Sequence, residues 1–371
     1  MSFTVIAGSA GAAALILMSL LRVHGPYRVL PALAAGLAVL LLSALLLSEV
    51  FEGRGLAPAS DTARVAIGQA RRANDALQDP ELRHVIIIQG ASYTARGVDG
   101  ALLERLLRQS GIAVHVVQLS FGGTNHFEQF QMLKWFLYYL SDQGRARLRQ
   151  LNVVRLQEVS PGYDLDPLAQ FRKNRESTRT YAYMDIGNIV AAYRSIYAHW
   201  KLGPQFVEYG TLLAPFPFAR LFNVGAANTY ERARKKRPIP GFAAVAGTQA
   251  GFAFGGMTAP SPIENGNSGL DGIPQWLRTV QWPRFAGLFD GREIPVIHYF
   301  VPQVPGSAAR YAIGFCREIP ATCLDAWDLE LRKALDHERY WWNLTHLRGP
   351  GAEIYTAWLA ERLARQAEFR Q

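Results

Sequence analysis

Cysteine is scarce in this chain: two residues, Cys316 and Cys323, among 371. That number excludes a small disulfide-framed scaffold and any cysteine-based metal cluster. No pair of histidines or carboxylates stands at a metal-binding spacing, and Asp164-Leu165-Asp166 alone offers too few ligands for calcium. A phosphate-cradling glycine loop followed by lysine is also missing. Basic residues exceed acidic ones by nine, yet the densest run, Arg232 to Arg237, contains no interleaved aromatics of the kind that stack on bases. It reads as a solvated face, with a lipid-headgroup contact as the alternative. Neither metal, cofactor nor nucleic acid is expected. The chain also lacks internal repeats and low-complexity tracts. The two cysteines sit close together and suit a loop-clipping disulfide if the compartment is oxidising; two buried thiols are the alternative.

Long apolar runs, in contrast, are present. Ser2 to Leu21 and Leu30 to Leu47 are free of charge, and each has roughly the twenty residues that cross a bilayer as a helix. Arg22, His24 and Arg28 lie in the short turn between them, whereas no basic residue precedes the first run. The positive-inside rule places that turn in the cytoplasm and everything after Val50 outside it. The expected organisation is a transmembrane helical hairpin over 1–50, a linker with a short helix over 51–80, and an extracytoplasmic domain over 81–371.

Within that domain, Val85 to Gln89, Ala113 to Leu119, Val153 to Val159 and Pro295 to Val301 read as buried strands. Helices are expected at Asp99 to Gln109, stopped by Gly111, at Phe127 to Leu140, and at Ala352 to Gln366. Strands alternating with helices imply a mostly parallel sheet covered on both faces. The alternation breaks down across about 171–292, a Gly/Pro-rich and aromatic-rich insertion containing helical pieces such as Tyr181 to Trp200. Insertions of that length are usually lids or binding walls.

Chemistry concentrates at strand ends. Gly90-Ala91-Ser92 follows the first strand, where a doubly wound sheet binds ligands. A turn serine capping a helix is the plain alternative. After the second strand comes Ser120-Phe121-Gly122-Gly123-Thr124-Asn125-His126, whose glycines let the backbone approach a ligand and whose amides can stabilise an oxyanion. Asn343-Leu344-Thr345-His346 precedes the terminal helix and brings an imidazole to the same sheet edge. A serine hydroxyl needs such a base to become a nucleophile.

These blocks, in this order, resemble the SGNH (GDSL-like) hydrolase superfamily, in particular its membrane-anchored polysaccharide O-acyltransferase branch, which includes alginate and cellulose O-acetylation proteins and the teichoic acid D-alanyl-transfer protein. The resemblance covers about Arg83 to Gly162 and Pro295 to Gln366. It implies a flavodoxin-like three-layer α/β/α domain, Ser92 as nucleophile, His346 as general base, and the amides of Ser92 and Gly122 or Gly123 as oxyanion donors. It also implies a polysaccharide acceptor, a multi-pass membrane O-acyltransferase partner, and a plasma-membrane location with the domain on the periplasmic or extracellular side. Two positions depart from the pattern. The family's aspartate three residues before the histidine is Asn343, and its Gly-x-Asn-Asp block is replaced by Glu158-Val159-Ser160-Pro161-Gly162-Tyr163-Asp164. Three readings follow: a Ser92–His346 dyad, a substitute acid among Asp325, Asp328 and Asp336, or a weakened site. Asn125 is a candidate for the missing asparagine's oxyanion role. His126 is a lesser candidate base, and His298 reads as packed. Tyr340, Trp341, Trp342, Trp276, Trp282 and Trp327 are expected mainly in the core, with part of the Tyr340 to Trp342 run facing the cleft. The family function implied is O-acyl transfer to an exported polysaccharide. An esterase of the same fold, or a silent glycan-binding component, are the alternatives.

Overall fold

The computed structural model describes residues 26–53, 60–159, 183, 185–200, 203–213, 242–246, 249, 252–257, 273–304, 306–324 and 326–369. The domain is α/β. Five parallel strands, β1 (His84–Gly90), β2 (Val114–Ser120), β3 (Asn152–Glu158), β4 (Val296–Tyr299) and β5 (Cys323–Leu324), lie in the order β2-β1-β3-β4-β5. The four longer strands fall where hydrophobic runs predict them; β5 is too short to give a periodic signal. Every residue of β1 and β2 is buried, which explains the continuous apolar run Val85 to Ile88 in β1: both faces are covered.

One face packs Ile86, Ile88, Val154 and Leu156 against Leu103 and Leu107 of the helix Gly100–Gln109 and against Tyr355 and Leu359 of the terminal helix Gly349–Ala364. Asp99 caps the first of these helices by accepting the N–H groups of Ala101 and Leu102, and Gly111, at φ +85°, ends it as expected. The other face packs Val85, Ile87, Val117 and Val153 against Phe130, Leu133 and Phe136 of the helix His126–Tyr139. A second helix on this face, Asp61–Ala76, lies within the stretch expected as a linker. Its small residues, among them Ala63, Ala66, Ala70 and Ala73, are fully buried in the same cluster as Val85 and Ile87. Alanines leave little side chain to bridge, so the helix sits close on the sheet; this part of the stretch belongs to the domain's core.

Residues 1–25 lie outside the described residues. Pro26–Gly53 is a helix with exposed Leu30, Leu37, Val39, Leu40 and Leu46. Several of its side chains are also outside the description, and among the described residues no helix is long and apolar enough to cross a membrane. The expected hairpin therefore has no support from the fold. Most of the 171–292 insertion is likewise outside the description. Its described parts include the helices Ile186–Trp200, Pro204–Leu213 and Trp282–Ala286, the last preceded by a π-helical turn at Leu277–Gln281. Cys316 and Cys323 form a disulfide, with Cα atoms 5.3 Å apart, that joins the helix Gly306–Glu318 to β5.

The strand order reverses between β1 and β3, and the crevice at the carboxyl end of this switch point is where such sheets hold ligands. β1 ends there on Gly90, where a β-carbon would collide with the buried side chains of Thr94 and Glu158. Both are held by hydrogen bonds and have little room to give way. Gly90→Ala is therefore expected to destabilise the domain by about 1–3 kcal/mol through overpacking, read from chemical unfolding. An unchanged unfolding midpoint would contradict this packing.

Candidate active site

Ser92 opens the short helix Ser92–Gly97, with Ala91 in the cap position and no side-chain cap. Its N–H heads that helix as one of the groups without an intrahelical partner. The turn is held from beneath by Glu158, the last residue of β3, which is 3% exposed. One carboxylate oxygen accepts the Ala91 N–H at 2.8 Å, the Thr94 N–H at 3.1 Å and the Thr94 hydroxyl. Tyr299, at the end of β4, places its hydroxyl 2.6 Å from that of Thr94. Burial, followed by the Glu158 charge, holds the Tyr299 phenol well above its usual range. Hydrogen bonds to a charged acceptor are the stronger kind, so this clamp fixes the backbone on either side of Ser92. Sequence reasoning missed Glu158 as a site residue. The available signal was a carboxylate at the end of a strand read as buried, where burial requires partners.

The imidazole comes from a two-stranded ribbon, Trp341–Asn343 paired antiparallel with His346–Leu347. Trp341 and Leu347 are fully buried and anchor it. The Trp341 indole N–H donates to the Leu335 carbonyl at 2.9 Å. At the tip, the Leu344 carbonyl accepts the Val304 N–H at 2.8 Å, tying the ribbon to the segment after β4. The side chains that remain outward meet at the switch point: His346 Nε2 lies 2.8 Å from Ser92 Oγ, across 254 residues of sequence.

The hydrogen bonds around the ring determine its tautomer. The Thr345 N–H, which can only donate, lies 3.0 Å from Asn343 Oδ1. The Asn343 amide nitrogen donates to Gln249 Oε1 at 2.9 Å. Asn343 therefore presents oxygen to His346 Nδ1, 3.0 Å away. The Thr345 hydroxyl, also 3.0 Å from Nδ1, donates to Asn343 Oδ1 at 3.2 Å and so presents a lone pair to the ring. Nδ1 carries the proton. Nε2 is left with a lone pair facing the Ser92 hydroxyl. Tyr93 stacks on the imidazole at 5.0 Å and Trp342 meets it edge-on at 5.7 Å. Burial, and then the nearby Arg96 cation, hold the His346 pKa down at about 4, so the ring is neutral at pH 7. Among the described residues, no carboxylate bonds to the ring to counter that shift.

Of the acids considered as substitutes, Asp328 caps the helix Leu329–Leu335 and pairs with Arg362. Asp336 accepts the Met257 N–H at 2.8 Å, and Asp325 lies outside the described residues. Neither described carboxylate bonds to His346. Asn125 also differs from its expected role. It is 1% exposed, its oxygen caps the helix His126–Tyr139 by accepting the Glu128 N–H at 2.9 Å, and its amide donates to the Tyr183 hydroxyl at 3.1 Å. Its polar atoms are used in capping and packing, not in facing the cleft.

The glycine turn does adjoin the serine. A β-carbon at Gly122 would lie 4.0 Å from Ser92 Cβ, and Gly123 has φ +73°. His126 is buried edge-on against Trp276 at 5.8 Å. His298 is buried within β4 and held down at about 3, by desolvation first. Trp276, Trp327 and Trp341 are core residues; Trp342 alone of the Tyr340 to Trp342 run contacts the imidazole. Among the described residues, no group of three or more histidines, cysteines or carboxylates is placed to hold a metal ion.

The chain matches no protein-family model and no curated protein.

Asn343→Asp is expected to restore a charged partner for Nδ1 and raise the His346 pKa from about 4. The base must be unprotonated to act, so the acid limb of any Ser92 reaction should move to higher pH. The rate at pH 7 should rise by about tenfold or more, in the direction opposite to the aspartate-to-asparagine loss in serine proteases. Reaction of Ser92 with a fluorophosphonate across pH 3–8 measures both changes.

Proposed function

We propose that this chain is a membrane-anchored, extracytoplasmic O-acyltransferase that forms an acyl-serine at Ser92 and passes the acyl group, acetyl, to a hydroxyl of an exported polysaccharide. The observation that carries the reading is the 2.8 Å contact between Ser92 Oγ and a His346 ring whose other nitrogen is fixed by Asn343. The resemblance to the SGNH acyltransferase branch supports the substrate class, the multi-pass membrane O-acyltransferase partner and the envelope location. The tether rests on the uncharged run Leu30 to Leu47 and on its counterpart at Ser2 to Leu21.

In this mechanism, Ser92 Oγ attacks the donor's carbonyl carbon as its proton passes to His346 Nε2. The tetrahedral oxyanion meets the Ser92 N–H and the amides of the Gly122–Gly123 turn. The carbon–leaving-group bond breaks as His346 returns the proton to the departing atom. The acceptor hydroxyl then gives its proton to Nε2, its oxygen attacks the acyl-serine, and Ser92 leaves as the restored alcohol. Water attacking the same intermediate makes the chain an esterase. The tight clamp on the turn and the stacked imidazole favour a preorganised site in either case.

A second reading, a catalytically silent glycan-binding component, is favoured by one observation: Asn343 leaves His346 without a counter-charge and a weak base. The two are separated by treating the purified chain with a fluorophosphonate probe. Labelling that maps to Ser92 and disappears in Ser92→Ala and His346→Ala is expected. A folded chain that takes no label would establish the silent reading.

A further inference from the structure

Alternate residues of a strand face opposite sides of a sheet, so Arg155 and Gln157 of β3 point away from the face on which Glu158 clamps the Ser92 turn. Arg155 is 2% exposed, and its guanidinium carbon lies 4.0 Å from the centroid of the Phe285 ring. Burial alone draws its pKa down to about 9, with no acid to offset the shift, and at pH 7 it keeps its charge. Its Nε has no hydrogen-bond partner. A buried charge is stable only when it is paired, and an aromatic face offsets a minor part of that cost. The layer is one negative charge short.

Unmet donors lie around this cation. Gln89, Gln157 and His298 stand side by side across β1, β3 and β4. Gln89 and Gln157 spend their amide nitrogens on Gln129. His298 is near enough to Arg155 for that charge to rank, after burial, among the causes of its low pKa; its one hydrogen-bonding neighbour is the Thr322 backbone, in a geometry that leaves both ring nitrogens unsatisfied. Gln281 ends the π-helical turn four residues before Phe285 and so shares that ring's side of the helix. It is fully buried, with its amide nitrogen and oxygen both unpaired. Trp282 and Phe315, 4.9 Å and 5.5 Å from the His298 ring, close the space with apolar surface. The remaining unpaired oxygens of the layer, on Gln89 and Gln157, lie one row nearer the strands' carboxyl ends. They are uncharged, so Arg155 sets the sign of what can bind.

We propose that this layer binds a halide ion, chloride, between Arg155, Gln281 and His298. One negative charge matches one guanidinium, since the imidazole is neutral. A spherical ion accepts from whatever directions its donors approach, whereas each oxygen of a carboxylate or phosphate would need a donor of its own in this dry space. The ion joins the helical wall around Gln281 to β3 and β4, whose carboxyl ends carry Glu158 and Tyr299 of the clamp. It is separate from the Ser92 cleft and independent of the acyl-transfer reading.

The test is thermal unfolding of the full chain in sodium chloride, sodium bromide and sodium gluconate at matched ionic strength, together with anomalous scattering from crystals grown in bromide. The midpoint is expected to rise with halide and not with gluconate; above the dissociation constant, each tenfold increase in halide should raise the folded-to-unfolded ratio about tenfold. Bromide density is expected against the Arg155 guanidinium. Methionine fills much of the same space without a charge, so Arg155→Met is expected to fold and to lose the halide dependence, while Arg155→Lys keeps part of it. If Arg155→Met does not fold, the salt comparison and the bromide density of the unmodified chain decide. Equal midpoints in all three salts, no bromide at Arg155, or a halide dependence unchanged in Arg155→Met would overturn the proposal.

Discussion

The contact between Ser92 Oγ and His346 Nε2 is the constraint around which this domain is organised. It joins the end of the first strand to a ribbon near the chain's end, and neither group is placed by its own local sequence. The serine is held because Glu158 gathers the amides of Ala91 and Thr94 from the neighbouring strand. The histidine is held because Trp341 and Leu347 are buried behind it and Val304 pins the ribbon's tip. Fixing both partners through separate parts of the core means the hydrogen bond costs little ordering when it forms. That is the condition under which proximity accelerates a reaction.

Electrostatically the site runs on a neutral imidazole. Asn343 fixes the proton on Nδ1 as an aspartate would, since Thr345 forces its oxygen toward the ring. It contributes no charge, and Arg96 contributes one of the opposite sign. Position and tautomer are thus kept while basicity is given up. General-base catalysis works best with a pKa near the working pH, so a ring held at about 4 is correctly protonated at neutral pH but a weak acceptor.

Much of this fold was legible because its strands are buried on both faces. Uninterrupted apolar runs such as Val85 to Ile88, alternating with amphipathic helices, fit little besides strands covered on two sides. Ser92 and His346 were legible for a related reason: a parallel sheet sends every strand's carboxyl end to one edge, and both residues sit at that edge. Side-by-side relations between distant segments left no trace. Glu158 faces Ala91 only because β3 lies beside β1, and Arg96 meets Trp342 only because the ribbon packs against the short helix Ser92–Gly97. Asn125 was misread because a helix cap and an oxyanion donor call for the same residue after the same glycine turn. A short helix was expected before β1, but the packing of Asp61–Ala76 on the sheet was not, because alanines pressed close to a sheet look, in sequence, like part of a linker.

The most direct measurement of the central claim is nitrogen NMR of the His346 ring in the full chain, with histidine labelled and Asn343 and Ser92 intact. The account predicts a neutral ring at pH 7, protonated at Nδ1, with Nε2 shifted by a hydrogen bond that is lost in Ser92→Ala, and a titration midpoint near 4. A ring protonated at Nε2, or one that titrates near 6.5 as in free solution and ignores the loss of Ser92, would contradict it.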